Sequence, residues 1–273
     1  AVQVAPVIDR SIPMFATRLL RTGRPAVVAS AAACAGAYAI QSRRTETLSA
    51  PPPVVHLEYF GIDGVAETAR HVLALGNIQW TESKWAVDFK KVDFKDPART
   101  LPIASPGFAA AKESGKLTMN MDRAPVVLVD GKHSIGSSKT IERYLARRLG
   151  LMGGDELEAA HIDTVTEHVR DIKDKYQKAK ADPQDKAKYF AEVMPEFMQK
   201  LEKAVGLLGG PGPALVGNSL SLADVTLLVF IKDFFDDKES AKASIAKCPR
   251  LQASLEATEK HTGVAKYRAS KKK

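Results

Sequence analysis

Cysteine is scarce: only Cys34 and Cys248 occur in 273 residues, and neither lies in a C-x-x-C pair. Two cysteines cannot build a disulfide framework, so a reducing compartment is the simplest reading. The six histidines are scattered, with no zinc-type spacing to the cysteines. There is no glycine-rich phosphate loop and no internal repeat. The apolar stretch from Ala26 to Ile40 is about 15 residues, short for a membrane span, so no stable span is expected. A net charge of +8 invites a polyanionic partner, but its distribution excludes one. Residues 1–55 hold six arginines against Asp9 and Glu46, which is half of the charge, and Lys271–Lys273 supply most of the rest. The body is nearly neutral and offers no broad basic face to nucleic acid. With 45% hydrophobic and 26% charged residues the chain is an ordinary globular one, long enough for one large or two ordinary domains.

Residues 1–53 read as a leader and linker. From Met14, a candidate start, the chain runs through arginines, Ser and Thr with almost no acid, then an Ala-rich stretch, then Ser42-Arg43-Arg44. That composition is expected of an organelle transit peptide, with a mitochondrial destination placed first. Plastid, secretory or cytosolic location, or a weak anchor, are the alternatives. Thr45–Pro53 ends in three prolines and reads as a linker. The leader is expected to pack on nothing in the body, although Ala26–Ala39 favours a helix of its own.

Two regions follow. From Val54 to about 151 the pattern is mixed: strand-like runs at 54–60 and 126–130, helical spacing at 64–76, and a helix at 138–149. Val126–Val129 before Asp130-Gly131 predicts a hairpin returning near Lys132–Ile135. From Asp155 to 273 strand signals vanish. Leu157, Val165, Val169, Ile172, Tyr176 and Ala179 mark one long amphipathic helix, with more helices at Tyr189–Val205 and Leu222–Phe235. Ser221 and Asp224 form a capping box ahead of the last of these.

Three features of the first region share one logic. Tyr59 ends the apolar run Val54–Phe60, at the mouth of a strand-to-helix loop, where it is either a core aromatic or a phenol facing a ligand. Ala124-Pro125 stands directly before a strand, where a cis bond is expected over an ordinary trans one. Ser137-Ser138 opens a helix, capping it or offering N–H groups to an anion. Together they resemble the glutathione site of a cytosolic-type glutathione transferase, closest to the sigma-like class, over Val54 to about Val264.

The resemblance implies an α/β thioredoxin-like domain at 54–151, carrying an insert at about 88–120, and an all-α helical bundle at 155–273. It implies glutathione as co-substrate, no metal, a small hydrophobic electrophile as second substrate, and a homodimer. Tyr59 would donate a hydrogen bond to the glutathione sulfur and so favour the thiolate. Ala124 would pair its backbone with the cysteinyl residue. Ser137 and Ser138 would receive the γ-glutamyl carboxylate. Trp85 and Lys90, with Lys91 beside it, are candidates for the glycine end. Glu167, otherwise a solvated helix-face acid, would reach the ammonium across a dimer interface. One departure stands out. Sigma-like members carry Arg-x-Arg-Ala-Glu after the Tyr, and here Asp63-Gly64-Val65-Ala66-Glu67 keeps only the last two. The function implied is detoxification-type conjugation. A glutathione-dependent isomerase or peroxidase, or a non-catalytic relative of the same fold, are the alternatives.

Overall fold

Val55–Phe60 (β1) buries every side chain except His56, which is half-buried. A strand so buried on both faces belongs inside a sheet, and β1 is flanked on both sides. A computed structural model describes residues 51–271; the leader, with Met14 and Cys34, lies outside the described residues. Trp80–Trp85 (β2) runs parallel to β1, with Tyr59 opposite Lys84 and Phe60 opposite Trp85. Val126–Val129 (β3) pairs antiparallel on the other side, and His133–Gly136 (β4) closes the order β2-β1-β3-β4. The turn between β3 and β4 has Asp130 and Gly131 both at positive φ, 53° and 66°. That is the geometry a two-residue hairpin turn requires. The Asp130 carboxylate also accepts the Val54 N–H at 2.9 Å, tying this turn to the start of β1.

Glu67–Leu75 (α1) crosses over between β1 and β2, and Ser138–Arg148 (α4) follows β4. Between β2 and β3 the insert forms Pro97–Ala104 (α2) and Pro106–Glu113 (α3). Phe108 lies in α3, and Pro102 lies inside α2. Phe108 anchors the insert, its ring 5.3 Å from Phe60 and 5.8 Å from Trp85. At Gly107 a Cβ would come within 2.8 Å of Trp85 Cδ1, so a larger residue would lift α3 off the sheet edge.

The remainder is helical apart from one isolated bridge between Gly209 and Gly217. It comprises Glu156–Ala179 (α5), Pro183–Lys188 (α6), Met194–Leu208 (α7), Leu222–Val229 (α8), Lys238–Ala243 (α9), Pro249–Lys260 (α10) and Thr262–Lys271 (α11). Single π-helical turns at Tyr189–Val193 and Phe230–Phe234 precede α7 and follow α8. Every residue of α8 is buried. It packs against α5 and α10 of the helical region and α1 and α4 of the sheet region, so one hydrophobic core runs through both. The expected capping box at its start is present. Asp224 does more than cap. Its two oxygens accept Leu215 N–H and Ser221 N–H at 2.9 Å, Ser221 Oγ at 2.9 Å and Ser254 Oγ at 2.7 Å. One carboxylate thus fixes α8, the preceding loop and α10.

Replacing Asp224 by Ala leaves those donors buried without a partner, at about 1–3 kcal/mol per group, only partly additive. Urea unfolding of Asp224→Ala should show a loss of at least about 3 kcal/mol, with Asp224→Asn losing less. A loss below 1 kcal/mol would show that the donors find other acceptors.

Candidate active site

The chain leaves β1 at Phe60 and re-enters regular structure through a 3₁₀ turn at Gly64–Ala66, which leads into α1. Tyr59 lies under this loop and is 6% exposed. Its hydroxyl oxygen accepts the Val65 N–H at 3.2 Å. Gly64 has a φ of +48°, and a Cβ there would come within 2.4 Å of the Tyr59 hydroxyl. Glycine is therefore required twice over, for its backbone angle and for space. Burial raises the Tyr59 phenol above its ordinary value, while the Val65 N–H and the nearby Arg70 charge partly oppose that. The group is thus protonated at neutral pH. One lone pair is engaged, and its proton is free to be donated.

Arg70 supplies the nearest cation, its guanidinium carbon 5.7 Å from the Tyr59 ring centre. It is held by Glu82 of β2 at 3.1 Å, Glu67 at 3.3 Å and the Ile62 carbonyl at 2.8 Å. Asp63 and Val65 stand where the resembled pattern has arginines, and Arg70 approaches the phenol from further along, on α1.

A second cluster forms where β3 and α4 begin. The Ala124-Pro125 bond is cis, as expected for that position. Asn120, 8% exposed, gathers the surrounding backbone. Its Nδ2 donates to the Arg123 and Pro125 carbonyls, both at 3.0 Å, and its Oδ1 accepts the Ser137 N–H at 3.0 Å. Ser137 sits at φ +66°, a strained angle for a residue with a Cβ, at the N-cap of α4. Asn120 thereby joins Ala124, Pro125, Ser137 and Ser138 into one unit. No local pattern marks it; only the fold brings it beneath them.

A cavity of about 550 Å³ opens between the two regions. Gly64, Val65 and Ser138 line one side, and Val169, Phe230 and Phe234 another. Tyr59 is behind the Gly64–Val65 wall rather than on the surface of the cavity. Glu167 stands on α5 with both oxygens engaged, by Lys139 at 3.1 Å and by Arg143 and Arg170. Although burial opposes it, hydrogen bonds from Arg143 and Lys139 and the charge of Arg170 bring its carboxyl down to about 2. Trp85 and Lys90 are not among the cavity-lining residues. The Trp85 indole packs on Phe60 and Phe108, and Lys90 is exposed on the turn Phe89–Lys91, where Lys91 pairs with Asp88.

The loop is also held from the far end of the chain. Glu67, 1% exposed, meets the Lys271 ammonium at 2.7 Å, the Tyr267 hydroxyl at 3.1 Å and His71 Nδ1 at 3.2 Å. Lys271 also pairs with Asp63 at 2.9 Å, and Arg268 with Asp233 at 2.8 Å. Glu67, His71 and Asp233 converge closely enough to hold a cation. In this fold Lys271 and Arg268 supply that positive charge. Cys248 is buried, its thiol pushed up to about 11 by burial and by Glu202, and is unsuited to act as a nucleophile.

The chain is similar to known proteins. The family model described as "Glutathione S-transferase, C-terminal domain" matches residues 162–271. Glutathione S-transferase 2 of Onchocerca volvulus is 30% identical over 173 residues, spanning 63% of this chain and 72% of that protein. Hematopoietic prostaglandin D synthase of Homo sapiens is 29% identical over 196 residues, spanning 68% and 85%. S-crystallin 2 of Octopus vulgaris is 22% identical, spanning 80% and 97%. The solved Pi-class glutathione S-transferase of Onchocerca volvulus superposes with a TM-score of 0.62 at 24% identity, over 80% of this chain and 93% of that one; at that identity the likeness shows the fold alone.

The Glu67 cluster has a measurable signature. Burial opposes its ionisation, but His71 and Lys271 bring the carboxyl down to about 2 from 4.5. A folded-state value below the unfolded one gives stability that is fully present above pH 4.5 and is lost as pH falls through 4.5 toward 2. The unfolding free-energy gap between the wild type and Glu67→Gln should therefore narrow by about 2 kcal/mol between pH 6 and pH 3. A gap that is unchanged across this range in urea titrations would show that the carboxylate is not held by these partners.

Proposed function

This chain belongs to the glutathione S-transferase superfamily, and we propose that it conjugates the thiolate of glutathione to small hydrophobic electrophiles, with Tyr59 stabilising the thiolate. The observation that carries this reading is the Tyr59 hydroxyl, seated against the Val65 N–H with its proton free. A free thiol has a pKa near ~8.5, so little thiolate exists at neutral pH without help. A phenol donating to the sulfur stabilises the anion over the thiol, and a partly dry cleft strengthens that bond. The start of α4 supports the rest. Ser138 and the free N–H groups of that helix suit the γ-glutamyl carboxylate, and the backbone of Ala124 suits the cysteinyl unit. Trp85 and Lys90 are assigned to the glycine end by resemblance alone. Glu167 would meet the ammonium in a partner subunit while keeping its own three cations. A sigma-like class and a detoxifying role belong to the same reading.

A second reading has support of its own, because one relative is named as a prostaglandin D synthase and another as an S-crystallin. An isomerase would turn over without consuming glutathione, and a crystallin-like protein would not turn over. Retention on a glutathione column followed by a thiol-conjugation assay and a glutathione-dependent isomerase assay separates the three.

Tyr59→Phe removes one donor and almost no volume. Loss of an oxyanion-type donor costs on the order of 3 kcal/mol in the barrier, so turnover should fall about 100-fold. KM for glutathione should be unchanged, and the pKa of the bound thiol should rise. Turnover unchanged across pH 6–8 would remove Tyr59 from this role.

A homodimer follows from the same reading. Met119 and Met121, flanking Asn120, are 63% and 83% exposed, and a second copy of the chain would cover them. Sedimentation velocity at micromolar concentration should give a dimer, and a monomer would count against both the assembly and the role of Glu167.

A further inference from the structure

The cavity beside the proposed glutathione site has an uneven charge pattern. Of the cations that line it, Lys139 is paired with Glu167, and Arg170 with Glu142 and Glu167. Of the acids, Asp63 and Glu67 are paired with Lys271, and Asp233 with Arg268. Lys173 differs. It projects from α5 into the same cavity and is half-buried. No carboxylate among the described residues comes within salt-bridge distance of its ammonium. Its ammonium stands over the Phe234 ring, 4.4 Å from Nζ to the ring centre. Val169, Tyr176, Phe230 and Phe234 form the apolar wall around it.

We infer that Lys173 is the anchor for a carboxylate on the second substrate, so that the electrophile is an organic acid with an apolar body rather than a neutral hydrophobe. This deepens the transferase reading and rests on it. Three observations carry it. A cation over an aromatic face is stabilised but not neutralised, so it retains attraction for an anion. The cavity is of ligand size, and beside Lys173 its wall is apolar, built from Val169, Tyr176, Phe230 and Phe234. Lys139, Arg170, Asp63, Glu67 and Asp233 are already matched, and Lys173 is the lysine of this lining seated over an aromatic ring, where a bound carboxylate would complete an ion pair. Burial disfavours the Lys173 ammonium, with Arg170 acting the same way and Glu142 and Asp174 opposing; a bound anion would reverse that penalty. Glu142 is neutralised by Arg170, and Asp174 is exposed, so neither repels an acid strongly.

Ethacrynate is a suitable probe. Its enone accepts the thiolate at the terminal methylene, the C=C pair moves to form the enolate, and water protonates the α-carbon, with no leaving group. Its carboxylate lies on an arm remote from the enone, so the methyl ester keeps the same reactivity without the charge. With saturating glutathione, Lys173→Met should raise KM for ethacrynate at least tenfold while moving KM for the ester less than twofold. Lys173→Arg should restore most of the preference for the acid. Equal changes for acid and ester, or none for either, would overturn the assignment. If the wild type conjugates neither compound, the transferase reading fails, and Lys173 is still decided by calorimetry. The saturated analogue of ethacrynate, which lacks the electrophilic carbon, should bind the wild type at least tenfold more tightly than Lys173→Met, and equal affinity would refute the anchor.

Discussion

The carboxylate of Glu67 is sealed from water at the start of α1, and a buried charge persists only if the fold surrounds it with donors and opposite charge. Arg70 and His71 come from its own helix, Tyr267 and Lys271 from the last one. Satisfying that single group therefore brings α11 down onto α1. The same cations reach further. Lys271 also holds Asp63, and Arg70 also holds the Ile62 carbonyl and Glu82 of β2. The loop that covers Tyr59 is thus fixed by charges that answer first to Glu67. The position of the phenol is a consequence of electrostatics distributed over the sheet, the first helix and the last.

A second network joins the two regions on the other side of the cavity. Glu142 of α4 is buried and paired with Arg170 of α5, while Arg143 reaches Asp163 and Glu167. Removing one partner of such a pair leaves a charge stranded in a poor medium, which is costlier than the pair is beneficial. The relative position of α4 and α5 is therefore sharply specified. That matters because Ser138 lies on the first of these helices and Val169 and Lys173 on the second.

How much of this the sequence revealed depended on whether the signal was local. β1, the β3–β4 hairpin and the starts of α1, α4 and α8 were legible because alternation, turn residues and caps act within a few positions. β2 was not, because Trp-Thr-Glu-Ser-Lys-Trp is a polar edge strand that becomes a strand by pairing with β1. α2 was hidden by Pro102, and α9 to α11 by short, weakly periodic segments that are ordered by packing. At the site, Tyr59, Pro125 and Ser138 were found at motif positions. Asn120, Gly64 and Lys271 were not, because each acts through a contact with residues that only the folded chain brings near. Trp85 is assigned a ligand contact by resemblance, and its packing on Phe60 and Phe108 is a long-range contact that no local pattern signals.

α8 raises a different matter, that of permissible variation. Most helices have a wet face on which substitutions are nearly free; this one has none, since each residue from Leu222 to Val229 is enclosed. Any change in shape there must be accommodated by α1, α4, α5 or α10, and through the first two it is transmitted to the walls of the cavity. The insert between β2 and β3 is the opposite case: with Phe94 and Ile103 facing solvent, it has room to drift. Over long divergence the chain is therefore expected to keep its central helix almost letter for letter and to experiment at the sheet edge, so that new properties arise from its periphery while its axis stays fixed.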